Sequence, residues 1–227
     1  MRFIEPSYEI MTEISEDGLK ELKFIEKIAR VCYKSEDIIQ EDGSTAKKLI
    51  TGLIKKGHEA MLEHSTLTVK FITDRGISHE LVRHRLCSFA QESSRYCSYD
   101  KEKFGGEITF ILPEFWDIEQ KYVSDADEAN DRDAKLELWK QSLQKAEDTY
   151  LTLIDSGAKP EEARSVLPNS TKTEIVVTAN YREWRNIFKL RTEMHAHPTM
   201  RYIMIPLLHE LQDRIPIIFD DIHVDGE

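Results

Sequence analysis

The sequence holds no apolar run near the roughly 18 residues that a membrane helix needs. Its opening stretch, MRFIEPSYEI, carries Glu5 and lacks the apolar centre of a signal peptide. A cytoplasmic protein with no membrane partner is the expectation. Cysteine is scarce: Cys32, Cys87 and Cys97 are odd in number and widely spaced. That excludes a disulfide framework and suits a reducing compartment. No CxxC pair exists, so a zinc ribbon has no support. Positive charge is in deficit, with 31 basic against 42 acidic residues and a net charge of −11. Such a chain is a poor candidate for wrapping nucleic acid, whose affinity comes mostly from cations on phosphates. Internal repeats and Pro/Gly/Ser-rich linkers are also lacking, which favours one domain over residues 1–227.

What is there reads as helices with a few interspersed strands. Leu19, Leu22, Ile25, Ile28 and Ala29 recur at helical spacing over 17–34. A second helix runs from Ser44 to Lys56, capped by Ser44 or Thr45 and ended by Gly57. Residues 65–73 alternate Leu67, Val69 and Phe71 with polar side chains, a half-buried strand. The stretch 76–86 reads as a helix, and 107–114 as a short strand. Trp139, Leu143, Ala146, Tyr150 and Ile154 form the stripe of a long helix over 127–156, stopped by Gly157. Pro160 starts a short helix that carries Arg164. Residues 172–180 alternate Thr173, Ile175 and Val177 as a strand. Helices follow over 181–195 and 199–213, with Pro206 expected to kink or split the second. The class is α+β, a helix-rich single domain with a small central sheet. The acidic stretch 115–135 reads as solvated surface.

Two basic clusters stand out against the acidic background. Segment 182–201 sets Arg182, Arg185, Lys189, Arg191 and Arg201 against Glu183 and Glu193. Segment 83–96, RHRLCSFAQESSRY, brings Arg83, His84, Arg85, Arg95, Gln91 and Glu92 together with Ser88, Ser93, Ser94 and Tyr96. Arginine grips phosphate or carboxylate with a planar fork of donors, and a serine-rich loop adds hydroxyl donors. Arginines this close repel one another, and a small bound anion would compensate them. The plainer reading of 83–96 is a solvated helix end. On a helix, Arg182, Asn186 and Lys189 share one stripe, and Ile187, Leu190 and Met194 another. Either this is an amphipathic surface helix, or Arg182, Asn186 and Arg191 point into a polar site.

A metal centre is not expected. His58 and His64, in GHEAMLEH, lie six residues apart, roughly 240° around a helix at about 100° per residue. The HxxEH arrangement would need histidine where Ala60 stands. His195 and His197 cannot share a helix face, and no carboxylate-rich motif accompanies them.

Residues 83–96 resemble the signature of the flavin-dependent thymidylate synthases: R-H-R, seven residues, Ser, then x-R-Y. Arg83, His84, Arg85, Ser93, Arg95 and Tyr96 stand at that spacing. The resemblance extends to GHEAMLEH (57–64), ARSVLP (163–168), CYKS (32–35), and Asn180, Tyr181, Arg182, Asn186, Leu190, Arg191 and His195. It covers most of residues 20–215, in order. Ala60 stands where many members carry Ser or Thr, and Ala90-Gln91 where many carry Asn-Glu. Glu80 stands where glutamine is often found.

The resemblance implies reductive methylation of dUMP to dTMP. Methylenetetrahydrofolate would supply the carbon and NADPH the reducing equivalents, through bound FAD. It also implies a homotetramer with active sites between subunits. By position, Arg83, His84, Arg85 and Gln91 would contact FAD, with Asn180, Arg182 and Asn186 coming from another subunit. His58, Glu63 and His195 would lie on the flavin or folate side. Around dUMP would stand Glu80, Arg83, Gln91, Glu92, Ser93, Ser94, Arg95 and Arg164, while Arg191 would polarise the uracil ring. The family reaction needs no activated cysteine thiolate. Two other readings are a flavin-free nucleotide-phosphate enzyme, such as a hydrolase, and an RNA-binding module, which the net charge disfavours.

Overall fold

The computed structural model describes residues 1–97, 99, 105–113 and 126–224, the side chains of 126–133 excepted. In chain order the elements are β1 (Arg2–Ile4), β2 (Ser7–Ile10), α1 (Leu19–Val31), α2 (Ser44–Lys55), β3 (Thr66–Asp74), α3 (Arg75–Leu81), β4 (Ser88–Gln91), β5 (Thr109–Ile111), α4 (Ala126–Asp155), α5 (Pro160–Ala163), β6 (Lys172–Asn180), α6 (Tyr181–Arg191) and α7 (Pro198–Arg214). The architecture is α+β and helix-rich. In place of one small sheet there are two: a four-stranded sheet ordered β2-β3-β6-β4, and the pair β1-β5. Of the segments read above, Glu114 and residues 115–125 lie outside the described residues.

Two compact units can be distinguished. One comprises Met1–Ser7, Ile72–Leu81 and Ala90–Ile175. Within it β1 and β5 run parallel, with Phe3 opposite Phe110. Tyr99, Ile108, Phe110, Leu143, Tyr150 and Ala163 form its core, so the stripe on α4 is used at Leu143 and Tyr150. Phe3 packs on Trp139 at 5.5 Å between ring centroids, within the range of favourable aromatic pairs. Gly157 ends α4 in the left-handed conformation (φ 91°), and Ala158 N donates to Leu153 O at 2.9 Å.

The other unit comprises Tyr8–Phe71, Val82–Phe89 and Val176–Glu227. Leu22, Ile25, Ala46, Ile50, Trp184, Phe188, Leu207 and Phe219 are among its buried side chains. The alternation seen in the sequence is met in β3, where Leu67, Val69 and Phe71 are fully buried. Glycine at 43, in the left-handed region, occupies the N-cap of α2, where a serine or threonine cap was expected. Asp42 instead accepts from Ser44 N at 3.0 Å. Pro206 does not split α7, which runs unbroken from Pro198 to Arg214. Proline sits there on the exposed face, while Ile203, Met204, Leu207 and Leu208 are buried, so the missing backbone donor costs least. Among the described residues no helix is long and apolar enough to cross a membrane.

The helix expected over 76–86 stops at Leu81. Ile77 and Leu81 are buried, but the next positions of that stripe are His84 and Arg85. A short helix without further apolar packing gains too little to continue. The chain turns instead, which leaves Arg83 and Arg85 exposed and His84 buried.

Candidate active site

Helix α6 sets the frame of the site. Asn180 is extended (φ −75°, ψ 165°), and its Oδ1 accepts from Glu183 N at 2.8 Å, satisfying an otherwise orphan donor of the first turn. Tyr181, Trp184, Ile187 and Phe188 bury the apolar side, and Trp184 Nε1 donates to Leu67 O at 2.9 Å. Leu190 and Met194 are exposed, so the apolar stripe differs from the one expected. Arg185 lies on the inner side, with 1% of its side chain exposed. It donates to Glu59 at 3.0 Å, to Asp221 at 2.5 Å and to the carbonyl of Ile218. Arg201 donates to the carbonyl of Thr192. Composition grouped both arginines with the ligand-facing cluster; Arg185 is neutralised internally, and Arg201 is tied to the backbone.

Another face of α6 opens on a pocket. Glu183, Asn186 and Leu190, spaced three and four apart, line it together with Arg191 and Glu193. Arg83, His84 and Arg85 complete the lining, and the cavity measures about 390 Å³. Arg191 Nε donates to His84 Nε2 at 3.0 Å. A guanidinium nitrogen can only donate, so Nε2 accepts and the ring proton sits on Nδ1. That nitrogen faces Glu183 Oε1 at 3.6 Å, just beyond hydrogen-bond length. The same oxygen accepts from Asn186 Nδ2 at 3.3 Å.

Burial pushes the His84 pKa down to about 4, and the charges of Arg191 and Arg83 push in the same direction. His84 is therefore neutral near pH 7, and three guanidinium groups face two carboxylates in one cavity. The nearby Cys87 thiol is pushed up to about 12, chiefly by burial and then by Glu183. It is protonated at neutral pH and cannot serve as a ready thiolate nucleophile.

The structure therefore brings Arg83, His84, Arg85, Asn186 and Arg191 together in one chain. Asn186 shares this pocket lining with the 83–85 turn of its own chain. Arg182 pairs with Glu63 at 2.5 Å, both half-exposed. His58 and His195 are exposed and outside the pocket lining.

In the first unit, Arg164 Nη1 donates to Ser94 Oγ at 3.3 Å. Ser94 is buried, and Ser93 half-buried. Arg95 stacks over Tyr96 at 5.4 Å and lies 3.8 Å from Glu161. Gln91 Nε2 donates to Ser78 Oγ at 2.9 Å and to Thr173 Oγ1 at 3.2 Å. Lys172 lies 3.2 Å from Glu92, and Glu80 is half-buried on α3. Among the described residues, no group of three or more His, Cys, Asp or Glu side chains could hold a metal ion.

Sequence reasoning overlooked Glu183, Leu190 and Glu193 as pocket residues. Their signal was the 183-186-190 spacing of one helical face, with Glu193 just past the helix end, hidden because the two acids counted only as charge against the arginines.

The sequence profile described as "Thymidylate synthase complementing protein" matches residues 17–217. A protein of Corynebacterium aurimucosum named flavin-dependent thymidylate synthase is 33% identical over 217 residues, covering 93% of this chain and 84% of that protein. One of the same name from Pyrococcus furiosus is 32% identical over 184 residues, covering 80% of this chain and 69% of its own. Among solved structures, a UMP/dUMP methylase from Streptomyces cacaoi bound with 5-Br dUMP superposes with a TM-score of 0.77. At 23% identity, over 97% of this chain and 96% of that one, it shows the same fold. The chain belongs to the thymidylate synthase complementing protein family, the flavin-dependent thymidylate synthases.

Proposed function

We propose that this enzyme converts dUMP to dTMP with bound FAD, taking carbon from methylenetetrahydrofolate and reducing equivalents from NADPH. The observation that carries the reading is the pocket in which Arg83, Arg85 and Arg191 surround a neutral His84. Three guanidinium groups against two carboxylates leave positive charge for an anionic ligand, and an arginine fork suits phosphate or a planar amide–carbonyl system. Bound flavin would supply hydride chemistry that no side chain can perform.

The chain's own residues orient and polarise. Arg191, whose guanidinium can only donate, stabilises the negative charge that develops on the uracil ring. Arg83, Ser93, Ser94, Arg95 and Arg164 hold dUMP and its phosphate, with Glu80, Gln91 and Glu92 beside them. Arg83, His84, Arg85 and Gln91 serve the cofactor, with His58, Glu63 and His195 toward flavin or folate. The half-buried Cys87 thiol takes no part.

Residues 1–227 act as one functional domain in a homotetramer. Asn180, Arg182 and Asn186 serve a neighbouring subunit's site. Inactive Arg83→Ala and Arg182→Ala chains should then recover activity in mixed tetramers. Verified mixed tetramers without recovery would remove the shared site.

The cofactor is tested by titrating purified protein with FAD. Binding to the native state adds about 2.7 kcal/mol of stability at a hundredfold excess over Kd, together with a shifted flavin spectrum. Unchanged melting and an unperturbed spectrum would reject the assignment.

A further inference from the structure

We propose that Glu183 is a positioning residue, acting through His84 to fix the orientation of Arg191. The inference rests on the role given to Arg191 above. Glu183 sits in the first turn of α6 and is 8% exposed, an unusual setting for a carboxylate. Its location at a helix N-terminus is electrostatically favourable, but that alone does not direct the carboxylate inward. The carboxylate turns toward His84 Nδ1 at 3.6 Å and is steadied from the other side by Asn186 Nδ2 at 3.3 Å.

His84 links the two charges. It is buried and neutral, with Nε2 accepting from Arg191 Nε at 3.0 Å. An imidazole presents an acceptor at one nitrogen only if its proton stays on the other. A carboxylate facing Nδ1 stabilises that proton, so Nε2 keeps its lone pair toward Arg191. If His84 took the other tautomer, an N–H would face the Nε–H of Arg191, and if its ring turned over, the Cε1–H would. The guanidinium would then have to rotate. Anchoring at Nε fixes the plane of the fork, which decides whether an arginine can make two parallel hydrogen bonds to a ligand. No other described contact of Glu183 explains a buried carboxylate: its backbone N–H serves the Asn180 cap independently of the side chain.

The idea separates reach from charge, so two conservative variants test it. Glu183→Gln keeps the length and an acceptor oxygen but loses the charge. Glu183→Asp keeps the charge but withdraws the oxygen from His84 by one methylene. Nitrogen-15 spectra of histidine-labelled protein, with His84→Asn to identify the signal, should show one Nδ1–H tautomer in the wild type and in Glu183→Gln. In Glu183→Asp the Nε2–H form should appear as well.

Turnover should fall about tenfold in Glu183→Asp, where the oxygen that faces Nδ1 is withdrawn, and less than about threefold in Glu183→Gln, whose amide oxygen stays in that place. In an Arg191→Ala background, Glu183→Asp should cause no further loss, because the route from Glu183 ends at Arg191. A wild-type tautomer in Glu183→Asp, or a tenfold loss that persists without Arg191, would overturn the proposal. If Arg191→Ala itself kept full turnover, the catalytic role of Arg191 would fall, while the tautomer spectra would still judge Glu183.

Discussion

Arg185 and Arg191 stand on the same helix, six residues and roughly 240° apart. One is sealed in the interior by Glu59, Asp221 and the carbonyl of Ile218. The other lies at a cavity, anchored to a neutral imidazole beside two further arginines. The difference teaches that a basic segment is not a basic site. A guanidinium matched by carboxylates inside the fold is closed to a ligand, whereas three that line a cavity face it. The first region uses its charge to hold the fold, and the second presents its charge to a cavity.

The largest effect expected from breaking this contrast is on stability. Arg185→Met would leave Glu59 and Asp221 without their cation, at a cost of about 3–5 kcal/mol in denaturant unfolding. A loss under about 1 kcal/mol would show that the inner cluster is not structural.

Next comes pH. His84 titrates near 6.5 when unfolded and at about 4 in the fold. As pH falls from 6.5 to about 4, the unfolded chain takes up a proton that the native one does not, so stability declines. The decline from this group is at most about 3 kcal/mol. Above pH 6.5 both states are neutral here and the contribution vanishes. His84→Asn should flatten that part of the stability–pH curve, and an unchanged slope between pH 4 and 6.5 would contradict a neutral, buried His84.

Smaller still, Asn180→Ala should cost about 1 kcal/mol through loss of the α6 cap, read as a lowered denaturation midpoint. Smallest is Arg85→Met: on an exposed pocket rim it should move stability by less than about 0.5 kcal/mol while weakening ligand binding. Equal destabilisation by Arg85→Met and Arg185→Met would erase the contrast between the two regions.

Much of this was legible in the sequence. Period-two alternation marked β3 and β6, because Leu67, Val69, Ile175 and Val177 must bury one face. The stripe and the glycine stop marked α4 and its end. The strands β1, β2 and β4 were not legible, since three or four residues carry too little pattern and their pairing is set by distant segments. The turn at 82–86 reads as helix in the sequence because propensity alone does not register the loss of apolar packing beyond Leu81.

At the site, the arginines and Asn186 were found by motif spacing. Arg185 was miscounted and Glu183 overlooked for the same reason. Whether a charge is paired inside or turned toward a cavity depends on partners far along the chain, such as Asp221 for the one and His84 for the other.

The most direct test of the account is Arg191→Lys. Lysine keeps the charge and loses the planar fork that Arg191 presents beside His84. Stopped-flow absorbance separates the NADPH-driven half-reaction from the one driven by dUMP with methylenetetrahydrofolate. The second should slow by a factor on the order of 10²–10³, the usual weight of one preorganised donor to a developing charge. The first should remain near the wild-type rate. Wild-type speed in both half-reactions would contradict the account and reduce Arg191 to a structural residue of α6.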